Sequence, residues 1–503
     1  MEAFLKLEMK RSVHNLIGYE PRMSPTLERA LAVYDFISKK YTHFGYIYDE
    51  ENKILKIPAT VSIDYVMDKL CSDNVLIGEV VDQSHEYNGT RRINKIKCKA
   101  TPRDMFQKES VEFLVARDVS DKLKSHRLLE LSTGFGKTVC AIMAIMELKM
   151  PAIITSVNLS QQWVDRICSF TTGELGKDVI YLKTWEDIEK LMLMKHPPMG
   201  SFYVIGLDAM SAALRRDSEM LHNFYEKFGI GIQVFDEVHE HFLKIINVLV
   251  NTNVERVLFL SATPSRSDKS QDALYGKIFR DNVPSYGSKT HDIQKFNIIM
   301  LSYETNPGVG DKFRVQPRRG VHSINYFKYM FKYASRIDII AKICVYFIYK
   351  IYKSFSFDTS KKVIIYIQSI EGIKTIANLL KGVEFPNGFK PSIGMYIGEI
   401  SKDKREIELS NNIILTTMYN RAGLDLANLM MILNFIPMSS DNMLKQIRGR
   451  IREEDGWYVD ITDEGFDGMT RQRDKRIHNH NRAAKKLLTY RYENGSVKRI
   501  GGN

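Results

Sequence analysis

Short apolar runs separated by longer amphipathic stretches dominate the chain from about residue 101 onward. The runs, four in each half of this region, are Ala152–Thr155, Phe202–Ile205, Ile232–Phe235, Arg256–Leu260, Lys362–Ile367, Ile393–Ile397, Ile413–Thr417 and Met430–Phe435. Strands that are buried on both faces of a parallel sheet carry such continuous apolar runs, and helices fill the stretches between them. The pattern therefore predicts an α/β fold built on parallel sheets.

A polar segment rich in turn-forming residues interrupts this alternation. It extends from Asn306 to Gly320 and has too few apolar residues for a core. The alternation resumes after it, so we predict two α/β lobes in tandem, over residues 101–285 and 286–468.

The first hundred residues follow a different pattern. A helix is predicted over Pro25–Tyr41, and alternating apolar positions at Tyr46–Tyr48 and Ile54–Ile57 flank a polar turn, which is the signal of a hairpin. A second helix is predicted near Ser62–Leu70. Residues 1–100 are expected to form a small α+β domain in which no chemistry is visible, with DNA binding as one role open to it.

Composition narrows the class of protein further. With 503 residues, 44% hydrophobic and 26% charged, the chain has the composition of a globular protein of roughly three domains. Its five cysteines are scattered without a C-x-x-C pair, which argues against a disulfide framework and a zinc module. No apolar stretch is long enough to span a membrane, and charges interrupt the N-terminal segment where a signal peptide would be apolar. We expect a soluble cytoplasmic protein without a membrane partner, in the host cytoplasm for a viral source.

The net charge of +12 is concentrated in two segments. Tyr87–Arg103 contains six basic residues and no acidic one, and Met469–Arg499 contains ten basic and two acidic residues. Concentrated positive charge indicates a surface that binds a polyanion, because neutralised phosphates release condensed counterions. A solvated basic tail is the alternative. We assign residues 469–503 to a basic C-terminal extension.

A glycine-bearing turn lies between a predicted strand and the predicted helix Val139–Leu148. Its backbone N–H groups would close around a triphosphate, the lysine after it would reach the β and γ phosphates, and the next hydroxyl would hold Mg²⁺. Leu131 replaces the usual first glycine of G-x-x-x-x-G-K-[ST], and a chance turn before a helix is the alternative. The residues assigned to this site are Gly134, Phe135, Gly136, Lys137 and Thr138.

Two adjacent carboxylates, Asp236 and Glu237, follow the apolar run Ile232–Phe235. Asp236 is placed to hold Mg²⁺ and Glu237 to orient and deprotonate an attacking water, because phosphoryl transfer depends on a positioned nucleophile. An acidic turn after a strand is the alternative interpretation. His239 and His241 lack further spaced ligands, so we do not assign them to a metal site.

Three further motifs complete a recognisable order. Ser261–Pro264 lies at the end of a predicted strand. A P-loop, an Asp-Glu-x-His box and a Ser-Ala-Thr turn follow one another along the chain, and this order resembles the first lobe of superfamily 2 helicases. Ile413–Leu426 resembles the fifth motif of that family, whose glycine and aspartate, here Gly423 and Asp425, approach nucleotide and nucleic acid. Gln446–Arg452 resembles the sixth, Q-x-x-G-R-x-x-R.

The sixth motif departs from the family pattern in its spacing. Arg452 stands six residues after Gln446, where the family has an arginine at the seventh position. The resemblance implies that Arg450, ahead of Arg452, stabilises charge on the transferred phosphoryl group. A solvated helix face is the alternative for such an arginine cluster.

An upstream segment resembles the family's adenine-reading motif. The resemblance implies that Gln107 bonds the adenine edge, with Phe106 beside the base and Arg103 in the same segment. Gln162–Trp163 and Leu274–Lys277 resemble motifs of the XPB-like branch, although Trp163 would serve equally as a core anchor.

The resemblance covers residues 101 to about 460 and is to the helicases typified by XPB, the poxvirus transcript-release helicase and the phage UvsW-type branch-migration helicase. It implies two RecA-like parallel-sheet lobes in tandem, ATP and Mg²⁺ as cofactors, and a monomeric motor acting on DNA. Total length, the N-terminal unit and the basic C-terminal extension favour the UvsW type.

Three functions stay open at this point. The first is an ATP-dependent DNA helicase or translocase that remodels branched or duplex DNA without sequence preference, by fork regression, branch migration or annealing, in viral DNA replication, recombination and repair. The second is transcript release or another RNA-directed helicase activity. The third is a non-catalytic nucleic-acid-binding module, which the presence of Lys137, Thr138, Asp236, Glu237 and Arg450 disfavours.

Overall fold

The computed structural model describes most of the chain, and it divides into two compact units, residues 1–290 and 291–503. The described residues are 5–35, 38–84, 91–93, 95–116, 125–132, 134–157, 160–262, 269–287, 296–317, 320–385, 388–418, 426, 428–438, 441–451, 453 and 455–502. The first unit contains both the N-terminal region and the first lobe. No helix in these ranges combines the length and the apolar character needed to cross a membrane.

The N-terminal region is built on a five-stranded mixed sheet and a separate two-stranded ribbon. Its elements are β1 (Leu5–Met9), β2 (Val13–Ile17), α1 (Pro25–Ala30), β3 (Ala32–Asp35), β4 (Lys40–Phe44), β5 (Ile47–Asp49), β6 (Ile54–Pro58), α2 (Ile63–Ser72) and β7 (Ile77–Asp82). The sheet order is β5-β6-β2-β1-β7, and β3 pairs with β4 alone. The predicted hairpin and the predicted second helix are confirmed.

The helix predicted over Pro25–Tyr41 was wrong beyond Ala30. Its start is as expected, because the Ser24 hydroxyl accepts the Leu27 N–H and proline occupies the first turn. After Leu31 the side chains alternate between a buried Val33 and an exposed Tyr34, which is the period of a strand. Pairing with β4 therefore stabilises strand β3 at positions where the sequence pattern predicts a continued helix.

The first lobe is a seven-stranded parallel sheet covered by helices. Its elements are α3 (Met105–Val115), β8 (His126–Glu130), α4 (Lys137–Leu148), β9 (Ala152–Ser156), α5 (Ser160–Phe170), β10 (Val179–Leu182), α6 (Trp185–Leu193), β11 (Phe202–Gly206), α7 (Leu207–Arg216), α8 (Ser218–Lys227), β12 (Ile232–Phe235), α9 (Phe242–Leu249), β13 (Arg256–Ser261), α10 (Lys269–Tyr275), a π-helical turn (Gly276–Arg280) and β14 (Ser285–Tyr286). The strand order is β10-β11-β9-β12-β13-β8-β14. Every residue of β8, β9, β12 and β13 is buried, as expected for strands covered on both faces.

The second unit repeats this architecture with an eight-stranded sheet. Its elements are β15 (Phe296–Tyr303), α11 (Val309–Val315), α12 (Ser323–Met330), α13 (Ala334–Ser354), β16 (Lys362–Tyr366), α14 (Ile370–Lys381), β17 (Ile393–Tyr396), α15 (Lys402–Glu408), β18 (Ile413–Thr416), β19 (Leu429–Asn434), α16 (Asp441–Arg448), β20 (Trp457–Asp463), α17 (Asp467–Ala483), β21 (Ala484–Glu493) and β22 (Ser496–Gly502). The strand order is β17-β18-β16-β19-β20-β15-β21-β22. Two RecA-like α/β lobes in tandem, preceded by an N-terminal domain with its own mixed sheet, are thereby confirmed, with all eight predicted strands.

The C-terminal residues are integrated in this sheet, which differs from the separate basic extension predicted over residues 469–503. β21 pairs in parallel with β15 from Phe296 to Ser302, and β22 closes the edge in antiparallel pairing. Leu488 and Tyr490 of β21 are buried in the core of the unit. Apolar residues between the basic ones hold the segment in the fold, so only part of its charge faces solvent.

Candidate active site

The P-loop turn joins β8 to α4 and depends on two glycines. Gly134 and Gly136 have φ values of 96° and 90°, a backbone region that favours glycine. A Cβ on Gly136 would also lie 2.5 Å from the Gln107 Nε2 atom, so both conformation and space require glycine there. Leu131 is buried and is not among the residues with positive φ, so the first glycine of the usual motif is not needed. The N-terminus of α4 directly follows this turn, and the free N–H groups of a helix N-terminus suit an anion.

Lys137 is the first residue of α4 and lies between the P-loop and the acidic box. Its ammonium donates a hydrogen bond to the Leu131 carbonyl at 3.2 Å and lies 3.8 Å from Glu237 Oε1. The geometry therefore brings together the lysine and the glutamate that the sequence places a hundred residues apart.

Asp236 is buried at the end of β12 and is held on both oxygens. The indole N–H of Trp163 donates to Oδ2 at 2.8 Å, and the backbone N–H of Glu237 donates to Oδ1 at 3.0 Å. Burial, followed by the nearby charge of Glu237, raises the pKa of Asp236 to about 6. A cation at this carboxylate would favour its ionised form.

Glu237 has a φ of 52°, which is uncommon for a residue other than glycine and marks local strain. Its Oε2 atom accepts the backbone N–H of Ala262 at 3.1 Å and lies 3.5 Å from His239 Nδ1. His239 Nδ1 is also 2.9 Å from the Ser261 hydroxyl. The acidic box is thus bonded to the end of β13, where the Ser-Ala-Thr motif begins, and His239 belongs to this network.

The residues that would hold Mg²⁺ are Asp236 and Thr138, whose hard oxygen donors suit that ion. Thr138 lies in the first turn of α4, directly after Lys137. Within the described ranges, no three His, Cys, Asp or Glu side chains gather as a metal cluster. A site with one carboxylate and one hydroxyl fits Mg²⁺ that arrives with substrate phosphates, because this ion keeps few protein ligands.

The Gln107 segment is bonded to the P-loop. Asp104 caps α3 by accepting the Gln107 N–H at 2.9 Å, and the Gln107 side chain accepts the Arg103 N–H at 2.9 Å. Its amide also donates to the Phe135 carbonyl at 3.1 Å. The Phe106 and Phe135 rings meet edge to face at 6.3 Å. Adenine recognition by Gln107 stays a prediction, and the structure adds a link between Gln107 and the P-loop.

In the second unit, Gln446 lies on α16 and Arg450 just after its end. Arg450 is 8% exposed, and its N–H donates to the Ile447 carbonyl at 3.1 Å. Arg448, between them, is fully buried, with Nη1 2.9 Å from His480 Nδ1 on α17. The role of Arg450 stays a prediction. The described residues do not include Thr263, Pro264, Gly423, Asp425 or Arg452, which also belong to the predicted motifs.

A buried polar network below α16 was not foreseen from the sequence. Arg476 of α17 donates to both oxygens of Asp460 at 2.7 and 2.9 Å, and His480 Nε2 lies 2.7 Å from Asp460 Oδ2. Burial alone would raise the pKa of Asp460, but Arg476 and His480 hold it well below its usual range. Burial lowers the pKa of His480, so the neutral ring would donate to Asp460 and accept from Arg448. Arg476 is therefore a structural residue.

Comparison with known protein families gives a match that includes the first lobe. Residues 80–266 match the family model described as the type III restriction enzyme, res subunit, which belongs to the superfamily 2 helicases. This range contains the P-loop, the acidic box and the Ser-Ala-Thr motif. Residues 80–266 are therefore similar to the helicases of superfamily 2.

Two solved structures are similar to this chain. One is S. cerevisiae Dbp5 bound to RNA and ADP BeF3, with 13% identity and a TM-score of 0.49, over 77% of this chain and 89% of that one. A point variant of Dbp5 bound to RNA and ADP BeF3 gives 12% identity and a TM-score of 0.50, over 78% and 90%. No curated protein matches this sequence. At these identities the likeness of the variant supports the fold alone.

The Trp163–Asp236 hydrogen bond leads to a first testable prediction. Trp163→Phe keeps a buried ring but removes the indole N–H, and hydrogen bonds to charged groups contribute about 1.5–3 kcal/mol. We expect the Mg²⁺ concentration for half-maximal ATP turnover to rise by about tenfold. The control is Trp185→Phe, whose ring contacts Arg216 on α7. An Mg²⁺ dependence equal to that of wild type would show that the bond does not position Asp236.

Proposed function

We propose that this protein is an ATP-dependent DNA helicase or translocase of the XPB-like branch, similar to the phage UvsW type, that remodels branched or duplex DNA without sequence preference. Hydrolysis is assigned to the first-lobe site, where Lys137 binds phosphate, Asp236 and Thr138 hold Mg²⁺, and Glu237 takes the proton of the attacking water. When bound, Mg²⁺ supplies positive charge that neutralises the phosphates. Arg450 is assigned to the transferred phosphoryl group.

A row of lysines on the first lobe carries the proposal that the track is a phosphate backbone. Lys95, Lys97 and Lys99 are exposed, while Ile93 and Ile96 beside them are buried. The three lysines lie within five residues of one another, so their charges are concentrated on one exposed segment. This segment, residues 95–99, is called the lysine strap.

Backbone hydrogen bonds fix the lysine strap beside α5. The Lys99 N–H donates to the Phe170 carbonyl at 2.7 Å, and the Thr172 N–H donates to the Lys97 carbonyl at 2.9 Å. Phe170 is the last residue of α5, the same helix that presents Trp163 to Asp236. One helix therefore contacts both the lysine strap and the carboxylate assigned to Mg²⁺, which supports coupling between the track and the ATP site.

The lysine strap is tested by the salt dependence of DNA binding. Replacing Lys95, Lys97 and Lys99 with glutamine should lower the slope of log affinity against log salt by up to about 2.7 on duplex DNA, at about 0.9 per phosphate contact. The loss should be similar for unrelated DNA sequences, because backbone contacts carry no sequence information. Filter binding or fluorescence anisotropy over a salt series measures both quantities.

A control variant with the same change in net charge distinguishes the loss of phosphate contacts from a general loss of positive charge. Lys6, Lys53 and Lys69 of the N-terminal region each pair with a carboxylate, so their replacement with glutamine should leave the salt slope unchanged. Equal slopes in the wild type and in the variant of the lysine strap would remove the strap from the DNA-binding surface.

A further inference from the structure

The two-stranded ribbon formed by β3 and β4 presents aromatic side chains on its outer face. Tyr34 and Tyr41 are direct cross-strand partners, and their rings meet edge to face at 5.1 Å. The neighbouring pair, Val33 and Thr42, takes the opposite face, where Val33 is buried. The strand period thus sorts the ribbon into an inner apolar face and an outer aromatic face.

The exposure of these rings is unusual for this protein. Tyr34, Tyr41 and Phe44 are 36%, 40% and 44% exposed. Only six aromatic side chains within the described ranges are as exposed as these, and three of the six lie on this one ribbon. Exposed aromatic groups that cluster in this way mark a surface that binds a partner.

The charge of the ribbon differs from that of its surroundings. Residues 1–84 contain thirteen acidic and ten basic residues, so the region as a whole would repel a polyanion. On the ribbon, Lys39, Lys40 and His43 stand close in sequence to the exposed rings, and Asp35 is the single acidic residue between positions 31 and 46. All three basic side chains are exposed.

The base of the ribbon is fixed to the first lobe. Gly45 packs so closely against Ile278 and Leu274 that a Cβ would not fit, and Lys277 donates to the Ala30 carbonyl at 2.9 Å. These lobe residues belong to α10 and the π-helical turn after it, the Leu274–Lys277 region that resembles the XPB-like branch. The ribbon is therefore attached to the segment that follows the Ser-Ala-Thr motif.

We propose that the β3–β4 ribbon is a stacking platform for unpaired bases where strands of the nucleic-acid substrate separate. Aromatic faces stack on bases of any sequence, and the adjacent lysines suit the phosphates on either side. The exposed rings alone would also suit a protein partner, whereas the adjacent Lys39 and Lys40 favour nucleic acid as the ligand. The inference rests on the proposed function, and it specifies where an unpaired strand is held.

The test uses a DNA fork with 2-aminopurine at its first unpaired positions. Tyr34→Ala with Tyr41→Ala should weaken binding of the fork by about tenfold or more and abolish the quenching of 2-aminopurine, because each stacked base contributes strongly. Binding of a blunt duplex and the DNA-free ATPase rate should not change. Tyr34→Phe with Tyr41→Phe should behave as wild type, since phenylalanine keeps the ring. The control Tyr333→Ala removes an exposed ring elsewhere.

A second measurement on the wild-type protein needs no substitution. A fork with 5-iodouracil at its unpaired positions, irradiated and digested, should give crosslinks to the peptide that contains Tyr34 or Tyr41. Crosslinks confined to other peptides, or tight and quenched fork binding by the double alanine variant, would overturn the platform. Failure of the proposed function looks different, because DNA would then stimulate the wild-type ATPase no more than RNA does.

Discussion

Glu237→Gln is expected to lower kcat for ATP hydrolysis by about 10²–10⁴-fold with little change in ATP affinity, which is the range for loss of a general base. The amide has nearly the shape of the carboxylate and can still accept the Ala262 N–H that Oε2 accepts at 3.1 Å. It has no basic oxygen for the proton of the attacking water. Asp236, the assigned Mg²⁺ ligand, keeps its bonds to Trp163 and to the backbone.

Pre-steady-state hydrolysis and equilibrium binding of a fluorescent ATP analogue measure the two quantities separately. Glu226→Gln is the matched control, because Glu226 is exposed on α8 and pairs with His222. Turnover by Glu237→Gln at the wild-type rate would show that another group accepts the proton.

Arg476→Gln is expected to destabilise the second unit by about 3–5 kcal/mol, because it leaves the buried Asp460 without its guanidinium partner. Arg476 and Asp460 are 3% and 1% exposed, so water cannot replace the lost contacts. The control is Arg471→Gln on the same helix, where the side chain is exposed and the change should stay within about 0.5 kcal/mol.

Amide hydrogen exchange in β20, which carries Asp460, reports this loss directly. Faster exchange in Arg476→Gln but not in Arg471→Gln is the expected result, whereas unchanged protection in both would mean that the network contributes little. A loss of DNA binding in Arg476→Gln would therefore reflect unfolding. Contacts to DNA in this region are better mapped at the exposed residues Arg471, Lys475 and Arg482.

The sheets could be predicted from the sequence because burial on both faces leaves a local signal. Each apolar run from Ala152–Thr155 to Met430–Phe435 became a strand, with ends that moved by at most a residue or two. The P-loop and the acidic box were equally visible, because their chemistry depends on neighbours along the chain. Leu131 replaces the usual first glycine without backbone strain, since the backbone there does not enter the left-handed region.

Contacts between distant parts of the chain left no such signal. Trp163 and Asp236 are 73 residues apart, and nothing in their spacing predicts the hydrogen bond that joins them. The count of basic residues in Met469–Arg499 did not distinguish the buried Arg476 from the exposed basic residues of its helix, because charge alone does not show whether a side chain is buried. The ribbon was missed for a similar reason, since β3 owes its conformation to pairing with β4.

The proposal of a DNA-remodelling translocase is tested most directly by ATP hydrolysis in the presence of matched nucleic acids. Wild-type protein is assayed with a four-way DNA junction, linear duplex DNA, single-stranded DNA and RNA, with Glu237→Gln as the background. We expect strong stimulation by junction or duplex DNA, together with ATP-dependent conversion of the junction to its products. Stimulation by RNA that equals or exceeds stimulation by DNA, with no conversion of the junction, would contradict it.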